Sequence, residues 1–440
     1  MDSGRWRAPA AHGPVRATLR LPGSKSITNR ALMLAALSDT PSVVRGVLRA
    51  RDTSLAIGAL RALGCAIDEP ADEKGTEVRV TPGPPTDGAT IRVDVGNAGT
   101  VMRFLPAVAA LTPADVAFDG DPRARERPVG ALLTALRTLG VVIDDDGRGA
   151  LPFVIRGTGS VAGGPVTLDA SGSSQLVSGL LLAAPRFTAG VAVRHSGPPV
   201  PSLPHIEMTV RMLRGAGAVV EAGQASAGRP DYWRVEPGPL NLGDFTVEPD
   251  LSNAGPFLAA ALVTGGSVTI RDWPAASLQA ADAILDVITR MGGSVSGGTD
   301  GLTVTGTGTI TGIDADLRDI PELCLPLTSV AALASGPSTL TGVGHTRAQE
   351  TDRLAAIAKE INALGGDVTE QPDGLTIRPR PLAAPAGHAF ESYDDHRMVM
   401  AAAVLGLGVP GIDVLNVATV GKTFPEFTAS WESLVRRDAS

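Results

Sequence analysis

The segment Leu21-Pro-Gly-Ser-Lys25-Ser-Ile-Thr-Asn-Arg30 gathers a lysine, an arginine and three hydroxyls behind a glycine turn. Such side chains hold phosphate: the cations supply charge, and hydroxyls and backbone N–H groups supply donors. It is not a Walker A loop, because the Gly-x4-Gly-Lys-Ser/Thr spacing is absent. Gly96-Asn-Ala-Gly99-Thr100-Val-Met-Arg103 is a second opening of this kind, with glycines that let a ligand approach the backbone. Asp119-Gly-Asp-Pro-Arg123-Ala-Arg125-Glu-Arg127-Pro128 sets three arginines in five positions, which reads as solvated charge or as a clamp for phosphate or carboxylate. Asp169-Ala-Ser-Gly-Ser173-Ser174-Gln175 offers neutral donors, suited to a polyol or a phosphate. Further on, Glu322, Glu350, Asp352, Arg353, Asp395, His396, Arg397 and Lys422 mix acids and bases within helix openings or turns. Glu350-Thr-Asp-Arg353 alone could be a helix start with its own ion pairs. The whole set suits acid–base chemistry on anions.

The elements that carry these residues repeat. Six times a β-like run gives way to a polar loop that opens a helix, and the markers Ser26, Gly99, Ser173, Ser252, Pro321 and Asp395 stand 73, 74, 79, 69 and 74 residues apart. A second series, Gly64, Gly140, Gly217, Gly293 and Gly366, ends amphipathic helices at intervals of 76, 77, 76 and 73. Two interleaved series with one period predict six units of β-α-β-α-β-β, three to a domain. The first unit would begin with the alternating strand Ala17–Leu21, and the switch between halves is expected near Val247-Glu-Pro-Asp250. The Gly157–Gly164 and Gly297–Gly308 stretches read as turns between short strands. Free N–H groups at six helix starts, reinforced by the helix dipole, would make an anion trap.

The chain has 440 residues, 43% hydrophobic, enough for large cores and two to four domains. Its net charge of −8 argues against general nucleic-acid or membrane-surface binding, so affinity for anions must be local. Of 38 basic residues only four are lysines, at 25, 74, 359 and 422. In a chain that otherwise uses arginine, Gly-Ser-Lys25-Ser and Gly-Lys422-Thr mark places for a compact, titratable ammonium. Cys65 and Cys324 sit far apart in apolar helical contexts, which suits a reduced cytosolic protein rather than a disulfide framework. No His/Cys spacing suggests a metal site. The N-terminal stretch to Pro14 lacks a signal-peptide core, and the apolar runs around Leu176–Pro185 and Met398–Gly408 are too short to span a bilayer.

These motifs, with Glu126-Arg-Pro128, Asp395-His-Arg397 and Lys422-Thr-Phe-Pro425, resemble in order and over nearly the whole chain the EPSP synthase family of 3-phosphoshikimate 1-carboxyvinyltransferases. The resemblance implies an α/β fold of two globular domains, each of three βαβαββ units around a central cleft, of the inside-out α/β barrel type. It places residues 1–22 with 248–440 in one domain and 23–247 in the other. It implies transfer of the enolpyruvyl group of phosphoenolpyruvate to the 5-hydroxyl of 3-phosphoshikimate by a cytoplasmic monomer, without metal or organic cofactor, and inhibition by glyphosate. Small-molecule substrates are the partners expected, not nucleic acid or membrane.

By the same resemblance, Lys25, Ser26, Arg30, Ser173, Ser174, Gln175, Ser202, Glu322, His345 and Gln349 hold 3-phosphoshikimate. Lys25, Asn97, Gly99, Arg127, Gln175, Arg353, His396, Arg397 and Lys422 hold phosphoenolpyruvate. Glu350 and Lys25 handle the C3 proton, and Glu322 is the base for the hydroxyl. Many members carry Asp for Glu322, Lys for Gln349, Tyr for His205 and Asn for His345; the Gln349 exchange loses a cation. Two alternatives stand: a related UDP-N-acetylglucosamine enolpyruvyl transferase, which opens with Gly-Ala-Lys-Asn and uses a loop cysteine, and a non-catalytic phosphate-ligand binder. The acid–base set speaks against the second.

Overall fold

The computed structural model describes residues 4–70, 75–83, 90–224 and 230–436; Lys74 lies outside them. They fall in two compact units, one within Met1–Pro22 and Pro249–Ser440 and the other within Gly23–Glu248. Among the described residues, no helix is long and apolar enough to cross a membrane.

The described strands form six open sheets, five of them four-stranded with one shared pattern. In Ile91–Asp94, Asp115–Asp119, Phe153–Arg156 and Val142–Asp144, the first pair is parallel and the next two pairings are antiparallel. The burial alternates as the sequence does: Ile91 and Val93 turn inward, Arg92 and Asp94 outward. One face of each sheet therefore needs a helical layer. In the Gly23–Glu248 unit that layer is Lys25–Ala36, Gly99–Ala109 and Gln175–Ala183, which pack on one another. In the other it is Leu251–Thr264, Cys324–Ala332 and His396–Gly408. These helices are apolar nearly all round, and every residue of Gly99–Ala109 is buried. Each fully buried Leu, Ile or Phe contributes about 1.5–3 kcal/mol. The second helix of each repeat shows only one face to the core, as Ile284, Val287 and Ile288 do in Ala281–Arg290.

The structure departs from the sequence reading in three places. Arg16–Leu19 does not start the first repeat; it pairs in parallel with Ser267–Ile270, and Asp244–Thr246 takes the vacated place beside Ser42–Arg45. Any alternating strand satisfies either edge, so pattern alone does not choose between them. The sixth repeat has no hairpin among the described residues: Ala389–Phe390 and Asp413–Val414 are completed by the N-terminal strand Trp6–Arg7. The last two helix stops fall on Gly292 and Gly365, with φ of 106° and 94°, one residue before the expected glycines. Gly293 and Gly366 instead press onto the helix just ended; a Cβ on Gly366 would lie 2.5 Å from Ile361 Cγ2.

Gly179 lets its helix lie close against Gly99–Ala109, since a Cβ there would lie 2.1 Å from the carbonyl oxygen of Arg103. Alanine gains up to about 1 kcal/mol in helix propensity, but forcing two helices apart costs roughly 1–3 kcal/mol. Gly179→Ala is expected to be net destabilising, read as a lower urea midpoint; an unchanged or raised midpoint would show that the crossing has slack.

Candidate active site

In the Gly23–Glu248 unit, Lys25 is the first residue of its helix, capped by the Ser24 hydroxyl, which accepts the Ile27 N–H at 3.4 Å. Its ammonium lies 3.6 Å from the buried carboxylate of Asp52, on the next helix. One turn on, Arg30 faces inward. Its guanidinium donates to Thr209 Oγ1 (2.7 Å), Ser178 Oγ (3.2 Å) and the carbonyls of Ser26 and His205 (3.0 Å each), over the Phe104 ring. Burial pulls it down to about 9. Its N–H groups are spent on two hydroxyls and two carbonyls from three helices, so Arg30 is first a knot that sets Ser26 against the Leu203–Gly215 helix. Ser202 precedes that helix in a left-handed conformation, φ 52°.

Asn97, Gly99, Arg127 and Gln175 meet directly. Arg127 Nη1 donates to the Asn97 carbonyl and side-chain oxygens at 2.8 and 2.9 Å, while its buried Nε finds no acceptor among the described residues. A Cβ on Gly99 would lie 2.6 Å from Arg127 Nη2, 3.1 Å from Arg103 Nη1 and 3.1 Å from Gln175 Oε1. Arg103 ties the set together, donating to the Pro128 carbonyl at 3.0 and 2.8 Å and to Gln175 Oε1 at 2.9 Å. Ser173 Oγ accepts the Gln175 N–H at 3.2 Å, and Ser174 is buried at that helix start.

In the other unit, Glu350 lies buried between two cations. Lys422 Nζ donates to its Oε1 at 2.6 Å and Arg353 Nη2 to its Oε2 at 3.1 Å. Arg353 also donates through Nε to Asp395 at 2.7 Å and through Nη1 to Gln349. Burial works against that charge, but Asp395 and Glu350 outweigh it and hold Arg353 above its ordinary value. Asp395 caps the His396–Gly408 helix by accepting the Arg397 N–H at 2.9 Å, and His396 Nδ1 stands 3.5 Å from it. Arg397 donates to the Glu322 carbonyl at 3.1 Å and to Ser252 Oγ at 2.9 Å. Burial, reinforced by Arg353, pulls Arg397 down. Lys422 ends a short turn fixed behind it by Phe424, which packs on Phe257 and Phe427. His345 stands on the Gly344–Ala348 turn just before Gln349.

The six helix openings are not equivalent, which corrects the expectation of six free anion sites. Gly99–Ala109 has no side-chain cap, and Gln175–Ala183 has only the neutral Ser173 hydroxyl on its first N–H. Leu251–Thr264 and His396–Gly408 are capped by Asp250 and Asp395, whose charge takes the place an anion would occupy. There the anion-binding charge must come from arginine and lysine. A cavity of about 550 Å³ elsewhere in the Gly23–Glu248 unit is lined by none of these residues. Its five aspartates, against Arg92 and Arg148, disfavour an anion.

Cys324 is buried and its thiol is pushed up to about 12 by burial; Cys65 is half-buried after its helix rather than within it, and burial raises it too. Neither has the low-pKa setting of a reactive thiol.

The EPSP synthase (3-phosphoshikimate 1-carboxyvinyltransferase) family profile matches residues 9–431. The chain belongs to the EPSP synthase family. It is 51% identical to the 3-phosphoshikimate 1-carboxyvinyltransferase of Kocuria rhizophila, over 98% of this chain and 96% of that one. Its fold is that of two EPSP synthase structures from Acinetobacter baumannii, at 25% and 24% identity, TM-scores 0.79 and 0.78, and 98% coverage of each chain. The EPSP synthase motifs read from the sequence fall on the two clusters just described. Of the residues that organise those clusters, Asp52 was not singled out in the sequence, while Arg103 and Asp395 were named in their motifs without being assigned to a substrate. Arg103 stands one turn after Gly99, a spacing that puts it on the same helix face; nothing local flags Asp52.

Removing one carboxylate from a buried ion pair strands its partner, at a cost of about 3–5 kcal/mol. Asp395→Asn is expected to lose stability of that order in urea titration. A loss no larger than that of an exposed cap, about 1 kcal/mol, would mean that Glu350 alone neutralises Arg353.

Proposed function

We propose that the chain is a 3-phosphoshikimate 1-carboxyvinyltransferase, an enzyme of the shikimate pathway leading to chorismate and the aromatic amino acids. It transfers the enolpyruvyl group of phosphoenolpyruvate to the 5-hydroxyl of 3-phosphoshikimate, giving 5-enolpyruvylshikimate 3-phosphate and phosphate. The observation that supports this best is the Glu350 carboxylate held between Lys422 and Arg353, because the reaction needs a proton carrier inside a cationic pocket. In the first step the 5-oxygen bonds to C2 of phosphoenolpyruvate, the hydroxyl proton goes to a base, and C3 gains a proton. In the second, C2 loses phosphate and the new methyl loses a proton.

We assign the C3 proton to Glu350 and Lys25, and the hydroxyl proton to Glu322. Arg127, Arg353, Arg397 and Lys422, with His396, Asn97 and Gly99, take phosphoenolpyruvate; Arg127 brings an unspent buried N–H to that task. Ser26, Arg30, Ser173, Ser174, Gln175 and Ser202, with Lys25 and Glu322, take 3-phosphoshikimate. Gln349 is the weaker assignment of the remaining pair, since its oxygen is engaged by Arg353; His345 completes the set. Two free cysteines support a cytoplasmic setting, and the net charge of −8 disfavours nucleic acid. We take the active species to be a monomer.

Phosphate release should require both substrates together and persist in EDTA. Release with UDP-N-acetylglucosamine in place of 3-phosphoshikimate, or loss in EDTA, would overturn the assignment.

Gly99→Ala would push a methyl toward Arg127 Nη2, 2.6 Å away in the present geometry. Overpacking of this kind costs about 1–3 kcal/mol, and glyphosate, longer than phosphoenolpyruvate, should suffer more. Titrations should show glyphosate inhibition weakening by a larger factor than the affinity for phosphoenolpyruvate. Equal losses, or none, would place Gly99 outside the pocket.

A further inference from the structure

Glu360, a buried carboxylate with no part in the reaction above, ties the Arg353–Ala363 helix to the segment that opens the His396–Gly408 helix. Its Oε1 accepts the Tyr393 hydroxyl at 2.6 Å and its Oε2 accepts the Glu391 N–H at 3.3 Å, with His388 Nε2 3.6 Å away. Burial and then Glu360 push the Tyr393 hydroxyl well above its ordinary value, so it stays a donor. The Glu391 carboxylate accepts the Tyr393 N–H at 3.2 Å, and Lys359 covers the ring.

Tyr393 and Asp394 are both left-handed, at φ 53° and 56°. Residues with side chains rarely adopt that conformation twice running, and it persists only where neighbours hold it. Glu360 holds one end. Asn416 and Thr419 hold the other, through the Asp394 carboxylate and carbonyl. The next residue is Asp395, which grips Arg353 and caps the helix at Arg397. Residues 353 and 360 lie two turns apart, so they share one face of their helix. The segment therefore docks on that face twice, through Arg353 to Asp395 and through Glu360 to Tyr393.

We infer that Glu360 is a positioning residue for phosphoenolpyruvate: by fixing the Glu391–Asp394 turn it sets Asp395, and through it the directions of Arg353 and Arg397. This rests on the reading that those arginines bind phosphoenolpyruvate. Glu360→Gln keeps the volume but leaves one acceptor oxygen, enough for Tyr393 or for the Glu391 N–H but not both. Tyr393→Phe cuts the same link from the other side and removes only a hydroxyl.

The test is steady-state kinetics on full-length Glu360→Gln, Tyr393→Phe, their double variant and Arg397→Lys, titrating both substrates and recording melting temperatures. In each of the Glu360 and Tyr393 variants the KM for phosphoenolpyruvate should rise about tenfold, with the KM for 3-phosphoshikimate little changed. The double variant should be no worse than the worse single one. An anchor for stability alone would lower the melting temperature and leave both KM values as they were, which would overturn the inference, as would equal rises in both. Arg397→Lys separates the two levels. If it leaves the KM for phosphoenolpyruvate unchanged, the underlying reading fails; if it raises that KM and Glu360→Gln and Tyr393→Phe do not, only the role of Glu360 fails. Should Glu360→Gln not fold, Tyr393→Phe carries the test.

Discussion

Arg353 is 2% exposed, and so buried a guanidinium, with few neutral acceptors around it, calls for carboxylate partners. Asp395 and Glu350 are those partners, and much of the C-terminal cluster follows from that requirement. Asp395 cannot neutralise Arg353 unless the His396–Gly408 helix starts where it does, and that start aims His396 and Arg397. Glu350 cannot serve Arg353 without also meeting Lys422, which brings the Val417–Lys422 turn to the same place. Each link shares an atom or a backbone bond with the next. The cluster is better understood as one charge-balanced body than as a set of independent ligands.

The Gly23–Glu248 unit solves a different problem. Arg30 is as deeply buried as Arg353, but its partners are hydroxyls, carbonyls and an aromatic face, with no carboxylate on it among the described residues. Two of the unit's interior helices open without a charged side-chain cap, and their N-termini keep their positive end. One unit thus offers helix starts without a capping charge beside Arg127. The other offers arginine and lysine already balanced by acids that can carry protons.

The repeat explains why such different clusters grew on one scaffold. Each sheet demands a covering helix, each helix needs a polar loop to start it, and each loop is free to change without disturbing the core. Glycines mark where that freedom ends. Gly179 allows two interior helices to touch, and Gly99 leaves room beside Arg127, so both are constrained by close approach rather than by turn geometry.

The sequence alone carried the period, the six helix openings, the amphipathic helices and the family, because each is a local pattern or an ordered set of local patterns. It also marked Lys25, Arg127, Glu350, Arg353, Arg397 and Lys422, whose types announce their chemistry. What it could not carry was pairing across distance. Arg16–Leu19 and Asp244–Thr246 alternate equally well, and only the folded chain decides which sheet each joins. Trp6–Arg7 completes a sheet more than 400 residues away, at Asp413–Val414. Asp52 reads as an ordinary helix acid until it is found 3.6 Å from Lys25. Arg30 reads as a free cation until four of its N–H groups are seen to be spent. Asp250 and Asp395 read as helix starts open to an anion until their own carboxylates fill that place. Residue type is written locally; which charges cancel which is a property of distance, and distance is settled only by the fold.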